Sequence, residues 1–391
     1  MNNSRRAAAF AVARWLAQKS PPAELLPEGP DRAFVQDVVY TVVRRLRPLR
    51  EILGEVVKKW PKGELEALLY VGAAQIFYMD GVPDFAAVNE TAEAAKECEN
   101  KSVVKVVNGV LRNLIRRRGE LAAKIAASPL EVRESFPTAL VGRWRTRFGD
   151  DGAEKLCRWH NEPAVTYLAR RDGTFTALER GRKVQAAAGY AAGEFIVQDP
   201  GTAAAVDMLE VRPGDVVADV CAAPGGKTVQ LAWRGAKVIA CEVNPRRRRT
   251  LEETIARTGV DAAVEDSIDP VRLRGAGVVK VLVDAPCSNT GVLRRRPDAR
   301  WNWSEEKLAK LVALQAEILD TAAAATPAGG VLVYSTCSNE PEENEAQAAA
   351  FTRRHHDFEM TASAESVPFV TGHDGAFAAR FTRRRGADFL T

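Results

Sequence analysis

The sequence of 391 residues lacks the features that mark three classes of protein. It contains no apolar run near the ~20 residues that a membrane-spanning helix needs. The polar and basic stretch 1–10 is not followed by the apolar segment of a signal peptide. Four histidines, and six cysteines without CxxC spacing, give neither a disulfide framework nor a zinc pattern. We therefore expect a cytoplasmic protein that uses no membrane and no metal.

The composition is that of an ordinary globular protein, with 46% hydrophobic and 27% charged residues. The length suggests two or three domains. The net charge of +4 is unevenly spread, because residues 1–130 hold 20 Lys and Arg against 15 Asp and Glu. Arginines cluster there at 44–50 and 112–118. Each cluster indicates either a nucleic-acid surface or an ordinary solvated helix face.

Residues 4–126 place apolar side chains three to four positions apart, which is the period of helices packed on a core. One stripe runs from Ala33 to Leu46 and another from Leu65 to Phe77. The pattern predicts an all-helical domain of five or six helices over residues 1–127. Residues 128–197 mix short apolar and polar pieces, and there we predict a small α+β linker domain.

From residue 198 the pattern changes to short apolar strands that alternate with helices, which is typical of a doubly wound α/β sheet. Seven strands are predicted, at 216–220, 237–241, 262–265, 278–284, 331–334, 357–360 and 376–381. This order predicts a Rossmann-like methyltransferase domain with a mostly parallel sheet over residues 198–391.

A glycine-rich turn follows the first of these strands and opens a helix. Its residues are Cys221, Ala222, Ala223, Pro224, Gly225, Gly226 and Lys227. Such a turn lets the backbone approach a ligand, and the helix N-terminus favours a negative group such as a carboxylate. The turn is neither GxGxxG nor GxxxxGK[ST], which disfavours a dinucleotide or a P-loop phosphate. Glu242 and Asp266 follow the next two strands; each alone could be a helix cap, but together they favour an adenosine ligand.

Two further strands are each followed by a motif that contains a cysteine. The fourth strand leads into Asp284-Ala285-Pro286-Cys287, and the fifth into Ser335-Thr336-Cys337-Ser338. Either cysteine alone could be a small buried thiol. Because the carboxyl ends of neighbouring parallel strands meet at one edge of a sheet, we expect both thiols at one site.

These motifs resemble those of the RNA cytosine-5 methyltransferases of the NOL1/NOP2/Sun family. The resemblance is carried by 197–199, 219–228, 284–288, 290–295, 297–298 with Trp301, 335–338 and 341–344. Glu242 stands where the family usually has Asp, which should still bind a ribose. In front of this region, the motifs at 31–35, 75–80, 83–90 and 107–113 resemble the NusB-type RNA-binding domain. Together the two resemblances imply the Sun-type branch, whose members act on small-subunit ribosomal RNA.

The resemblance also implies roles for individual residues. Cys337 would be the nucleophile that bonds to C6 of a cytosine in 16S ribosomal RNA, and Cys287 would assist proton removal and enzyme release. Asp284 would hydrogen-bond the cytosine edge, and Lys227 would favour the thiolate. S-adenosylmethionine would be held by the glycine-rich turn 221–227 with Glu242, Asp266 and Asp284. We expect the chain to act as a monomer.

Three alternatives stay open at this point. The RNA could be another one, such as a tRNA, or the chain could be a non-catalytic RNA-binding assembly factor. A DNA cytosine-5 methyltransferase would attack through Cys287, but the Glu-Asn-Val tripeptide usual in those enzymes is absent. The arginines at 294–296, Arg300 and the tryptophans Trp301 and Trp303 are predicted to contact the RNA strand around the target base.

Overall fold

The computed structural model describes residues 3–18, 21–97 and 102–385. Cys98, one of the six cysteines, lies outside the described residues. Contacts within the chain divide it into two units, of which the first combines Met1–Glu162 with Leu293–Asn302. The second combines Pro163–Val292 with Trp303–Thr391. The boundaries at 127 and 197 remain a prediction; the stretch between them is shared by the two units.

The first unit is helical. Its helices up to residue 162 are α1 (Ser4–Gln18), α2 (Arg32–Arg44), α3 (Leu46–Gly54), α4 (Glu64–Tyr78), α5 (Asp84–Ala94), α6 (Ser102–Arg116), α7 (Arg118–Ala126), α8 (Leu130–Arg133) and α9 (Thr138–Asn161). The helical prediction for residues 4–126 is confirmed within the described residues, with seven α-helices there rather than five or six. Helix α4 is the centre of the bundle, because its residues from Ala67 to Ile76 are all buried.

The valine stripe of α2 shows why the first unit is helical. Its side chains at 35, 38, 39, 42 and 43 are buried, which is one face of a 3.6-residue repeat. Gly72 in α4 allows close packing against α6, since a Cβ there would stand 2.6 Å from the Leu111 methyl carbons. Full burial of each such aliphatic side chain contributes about 1.5–3 kcal/mol.

The segment Leu293–Asn302 completes the first unit, and it corrects one prediction. The guanidinium of Arg300 is fully buried and donates hydrogen bonds to the Ser135 carbonyl (3.1 Å) and to Asn161 Oδ1 (3.0 Å). It lies 3.8 Å from the centroid of the Phe136 ring. Burial, followed by the nearby charge of Arg44, lowers the pKa of Arg300 well below its usual value. The prediction that Arg300 contacts RNA is wrong, because its side chain is fully buried inside the protein.

Two other side chains of the segment Leu293–Asn302 also make contacts within the first unit. Arg294 is buried with its guanidinium 4.3 Å from the Trp159 ring. The indole of Trp301 donates to the Val43 carbonyl at 2.8 Å. Arg296 is exposed and Arg295 is half-buried, so the structure leaves open the predicted contact of these two arginines with RNA.

The arginine cluster at 44–50 is also largely structural. Arg44 donates to the carbonyl of Arg294, and Arg45 forms an ion pair with Glu134 at 3.3 Å. Arg47 donates to the carbonyl of Phe136 at 2.7 Å. The sequence pattern that suggested a nucleic-acid surface here therefore reflects, for these three side chains, contacts within the first unit.

The second unit begins with a small antiparallel sheet. Its strands are β1 (Tyr167–Arg170), β2 (Phe175–Ala177) and β3 (Phe195–Val197), in the order β2-β1-β3. With α8 and α9 before it, this sheet gives residues 128–197 the mixture of helix and strand that the sequence predicts.

The main body of the second unit is a seven-stranded sheet, as predicted. Its strands are β4 (Val216–Val220), β5 (Lys237–Cys241), β6 (Ala262–Glu265), β7 (Lys280–Asp284), β8 (Val331–Thr336), β9 (Phe358–Ser366) and β10 (Ala376–Arg383). The spatial order is β6-β5-β4-β7-β8-β10-β9. Strands β4 to β8 are parallel, and β10 runs antiparallel to both of its neighbours. The intervening helices are α10 (Ala204–Asp207), α11 (Gly226–Trp233), α12 (Pro245–Thr258), α13 (Pro270–Gly275), α14 (Ala299–Asn302, part of the first unit), α15 (Glu305–Ala325), α16 (Glu345–Arg354) and α17 (Pro368–Thr371).

Strand β8 explains the position of the second cysteine motif. All six of its residues are buried, as expected for a central strand covered on both faces. It extends two residues beyond the predicted end at Tyr334, because Ser335 pairs with Asp284 and Thr336 pairs with Phe377. Cys337 is therefore the first residue after the strand.

Candidate active site

Five predicted site residues lie along one edge of the large sheet. Strands β6, β5, β4, β7 and β8 are successive parallel neighbours, so their carboxyl ends share that edge. Asp266, Glu242, Cys221, Asp284 and Cys337 stand at or just beyond these ends, in that order. The topology thus brings together residues up to 116 positions apart in the chain.

The two cysteines face each other. The distance from Cys287 Sγ to Cys337 Sγ is 3.2 Å, and Cys337 Sγ lies 3.3 Å from Asn289 Oδ1. The hydrogen bond with Cys337, burial and the nearby charges of Cys337 and Glu343 raise the pKa of Cys287 well above its usual value. Asn289 has a left-handed φ of 59°, which turns the loop after Cys287 back toward Cys337. Sequence analysis gave Asn289 no role; its place two residues after Cys287 is the signal that could have suggested one.

An ion pair lies beside the thiols. Lys227 Nζ is 2.7 Å from Asp284 Oδ2, and Ser335 Oγ donates to Asp284 Oδ1 at 2.9 Å. Burial alone would lower the pKa of Lys227, but the charge of Asp284 and the hydrogen bond to it raise that pKa overall. The ammonium also interacts electrostatically with Cys337. Positive charge thus lies close to the predicted nucleophile.

The glycine-rich turn has the geometry of a ligand-binding loop. Cys221 and Gly225 both have left-handed φ values, 61° and 104°, and the Ala223–Pro224 peptide bond is cis. A Cβ on Gly225 would stand 3.0 Å from the Leu251 side chain, so the turn packs closely against α12. Gly226 begins helix α11, which directs backbone amides toward the turn. Burial raises the pKa of Cys221 to about 12, so this thiol stays neutral.

Two buried acceptors near the turn have no hydrogen-bond donor among the described residues. Glu242 is 3% exposed; its Oε1 accepts from the Asn244 amide at 3.0 Å, but its Oε2 accepts none. Arg247 Nε lies 3.5 Å from that oxygen, as an ion pair. Asp219 accepts from Thr228 Oγ1 at 2.5 Å through one oxygen only. A buried acceptor without a donor is costly, so both positions suit a ligand that brings hydroxyl or amino groups.

Burial raises the pKa of Asp219 to about 7, with a smaller opposing effect from the Thr228 hydrogen bond. Asp219 was part of a matched motif, but sequence analysis gave it no role of its own. Asp266 lies at the predicted strand end and is exposed.

Within residues 3–18, 21–97 and 102–385, no group of three or more His, Cys, Asp or Glu side chains is arranged to hold a metal ion. No helix in that same part of the chain combines the length and apolar character needed to cross a membrane.

Comparison with known proteins gives two family matches. Residues 206–380 match the family described as 16S rRNA methyltransferase RsmB/F, and residues 2–116 match the NusB family. The first match spans the large sheet with both cysteines, and the second spans most of the helical unit.

Individual relatives cover nearly the whole chain. A ribosomal RNA small subunit methyltransferase B of Thermus thermophilus is 36% identical over 341 residues, which are 84% of this chain and 80% of that relative. A protein of the same name in Salmonella arizonae is 31% identical and covers 98% of this chain and 99% of its own length.

Solved structures share the fold. The crystal structure of PH0851 superposes with a TM-score of 0.78 at 21% identity, over 97% of this chain and 98% of that one. The structure of NSun6 from Pyrococcus horikoshii with SFG has a TM-score of 0.55 at 19% identity, over 64% and 99%. On the strength of the sequence relatives, this chain belongs to the RsmB/F family of S-adenosylmethionine-dependent 16S ribosomal RNA methyltransferases.

Proposed function

We propose that the chain methylates C5 of a cytosine in 16S ribosomal RNA through a covalent bond between Cys337 and C6 of the base. The observation that carries this proposal is the 3.2 Å separation of the Cys287 and Cys337 sulfur atoms. A pair of thiols at one sheet edge, with a lysine and an aspartate beside them, has the groups needed for nucleophilic addition and elimination.

The first step activates the base. Cytosine C5 is a poor nucleophile, and addition of the Cys337 thiolate to C6 moves the electron pair of the C5–C6 double bond onto C5 and the ring. Asp284, placed one strand away, hydrogen-bonds the amino or N3 edge of the cytosine. Lys227 stabilises the thiolate before attack, because a nearby positive charge favours the ionised sulfur.

The second step restores the aromatic ring. S-adenosylmethionine, when bound, would supply the methyl group as an electrophilic carbon, whose bond to the sulfonium sulfur would break as its bond to C5 forms, leaving S-adenosylhomocysteine. Cys287 then assists removal of the C5 proton; the electron pair of that C–H bond re-forms the double bond, and Cys337 leaves as a thiolate. The roles of the two cysteines are therefore sequential and unequal.

The proposed cofactor site lies along the same edge of the large sheet as the thiols, at the ends of β4 to β6. The turn 221–227 would hold the carboxylate end of the cofactor, and Glu242 Oε2, which receives no hydrogen bond among the described residues, would accept a ribose hydroxyl. Asp266 would receive the adenine amino group at the end of β6. Asp284 lies between this region and the thiols, so it takes part in both.

The RNA partner follows from the family, and we place the reaction in the cytoplasm. The target base must leave its stack to reach a thiol at a sheet edge. Exposed arginines of the first unit, such as Arg112 and Arg116, are candidates for phosphate contacts. Such contacts would make RNA affinity fall as salt rises, because bound phosphates release counterions.

One gel tests the covalent step. Cys287→Ala should accumulate a protein–RNA adduct that survives denaturing electrophoresis with cofactor present, because attack and methylation proceed while release is blocked. Cys337→Ala should give no adduct. Cys241→Ala, which removes another buried thiol at a strand end, should behave like the wild type.

The reverse pattern would show that Cys287 attacks, as in the DNA enzymes. Absence of any adduct from either variant, with an active wild type, would show that neither thiol is the attacking group. Bisulfite sequencing of 16S ribosomal RNA and tRNA, from cells with and without the gene, then identifies which RNA is modified.

A further inference from the structure

A buried carboxylate, Glu343, lies behind the two cysteine loops. Each of its oxygens receives two hydrogen bonds. Oε1 accepts from the Ser288 amide at 2.9 Å and from Gln315 Nε2 at 3.0 Å. Oε2 accepts from Ser288 Oγ and Ser338 Oγ, both at 2.5 Å. Burial raises the pKa of Glu343, and the hydrogen bonds from Ser288, Ser338 and Gln315 act to lower it. Four converging donors are what an ionised carboxylate requires when it is removed from water.

These four bonds connect the residues that follow the two cysteines. Ser288 comes directly after Cys287, and Ser338 comes directly after Cys337. Gln315 of α15 adds a third tie, since its Nε2 also donates to the Pro286 carbonyl at 2.9 Å. One side chain thus fixes both loops to each other and to a helix.

The backbone of Glu343 and the side chain of its neighbour Asn344 are also held by hydrogen bonds. Tyr334 Oη donates to the Glu343 carbonyl at 2.6 Å. Asn344 accepts from Thr336 Oγ1 at 2.6 Å and donates to the Ser338 carbonyl at 2.8 Å. Glu343 is therefore a rigid support, held through its backbone and its neighbour.

The charges around the thiol pair are unequal. Glu343 contributes negative potential at Cys287, while Lys227, paired with Asp284, contributes positive potential at Cys337. The Cys287 thiol lies 3.2 Å from Cys337 Sγ, to which it can donate, and Cys337 Sγ can donate in turn to Asn289 Oδ1. Negative potential at Cys287 favours the proton on that sulfur.

We propose that Glu343 is a positioning residue that holds the two cysteine loops at contact distance and keeps the Cys287 thiol protonated. The assignment of Cys337 as nucleophile rests on the proposed function. The proton placement concerns the free protein, so it is tested without RNA or cofactor.

Site-resolved alkylation tests the electrostatic part. Wild-type protein and Glu343→Gln, which keeps the size and loses the charge, are treated with iodoacetamide from pH 6 to pH 10, and each cysteine is quantified by peptide mass spectrometry. The wild type should alkylate mainly Cys337. In Glu343→Gln, the onset of Cys287 alkylation should move down by about one pH unit, and the Cys337-to-Cys287 ratio should fall about tenfold.

The matched control is Glu345→Gln, an exposed glutamate two residues further on. It should leave both profiles unchanged. A folded Glu343→Gln whose ratio stays within twofold of the wild type would overturn the electrostatic part. Inactivity of the wild type on RNA would overturn the proposed function but would not affect this measurement.

Ser338→Ala tests the positioning part and remains available if Glu343→Gln does not fold. It keeps the carboxylate and removes one tie to the Cys337 loop. Diamide, which oxidises two thiols to a disulfide and is itself reduced to a hydrazine, should join the cysteines at least tenfold more slowly in this variant, with an unchanged alkylation ratio. An unchanged rate of disulfide formation would show that Glu343 does not set the spacing.

Discussion

The two halves of the sheet edge are built differently. The half that we propose for the cofactor, at the ends of β4 to β6 and called the cofactor half below, contains two buried acceptors that receive no hydrogen bond from the described residues, namely Asp219 Oδ1 and Glu242 Oε2. The thiol half, at the ends of β7 and β8, contains Glu343, whose two oxygens each receive two donors. The comparison indicates that a ligand completes the first half, whereas the protein itself completes the second.

Asp284 stands where the two halves meet, so its replacement should have the largest effect. Asp284→Asn removes the partner of Lys227 and the charge proposed to face the cytosine. We expect methyl transfer to fall by roughly 100- to 1,000-fold, as when a preorganised polar group is lost at a reacting centre. Single-turnover assays with labelled cofactor measure this. Asp261→Asn, an exposed aspartate before β6, is the control; equal rates for both variants would contradict the role of Asp284.

Glu242 tests the cofactor half alone. Glu242→Ala removes the acceptor proposed to bind the ribose, and we expect S-adenosylmethionine to bind about 10- to 100-fold more weakly, from the loss of a hydrogen bond to a charged group. Glu242→Asp keeps a carboxylate and should retain most of the affinity. Calorimetric titration measures both, with Glu252→Ala on the exposed face of α12 as control. Unchanged affinity in Glu242→Ala would exclude the ribose contact.

Asp219 should give the cofactor half a dependence of stability on pH. Its folded pKa is raised to about 7, so the folded protein keeps a proton that the unfolded chain loses near pH 4. The stabilisation is therefore complete at low pH and declines by roughly 1.4 kcal/mol per pH unit until about pH 7. Asp219→Asn should lack this decline. Urea midpoints at pH 5 and pH 8 measure it, and an identical change in wild type and variant would contradict the prediction.

Ser335 should give the smallest effect. Ser335→Ala removes one hydrogen bond to Asp284 and leaves the Lys227 pair intact. A bond of this kind contributes about 1 kcal/mol, so we expect a roughly fivefold slower methyl transfer with unchanged cofactor affinity. Parallel kinetic and calorimetric measurements separate the two halves. A larger change in affinity than in rate would place Ser335 in the cofactor half instead.

The strand-end residues could be predicted from sequence because topology leaves little choice. Once five apolar runs are parallel neighbours, the residues that follow them share one edge. The positions of Glu242, Asp284 and Cys337 at strand ends could be predicted without knowledge of side-chain packing, and all three lie at those ends.

The burial of particular charged groups could not be predicted in this way. Arg300 and Arg296 occur in one basic run, yet only the first finds carbonyl and amide acceptors from distant residues. The same limit applies to Glu343, whose donors come from residues 28 to 55 positions earlier and from Ser338 nearby. Partners so far apart in the chain become apparent only when the fold is known.

The discontinuous first unit affects how this protein is synthesised and how it could be recombined. Its closing segment, Leu293–Asn302, leaves the ribosome about 130 residues after Glu162. Until that segment has been synthesised, the Ser135 carbonyl and Asn161 Oδ1 cannot accept hydrogen bonds from Arg300, and the Val43 carbonyl cannot accept one from Trp301. A gene fragment that ends at 162 would encode an incomplete helical unit, and one that starts at 163 would carry a piece of it. An exchange of N-terminal regions between relatives would therefore have to move both stretches together.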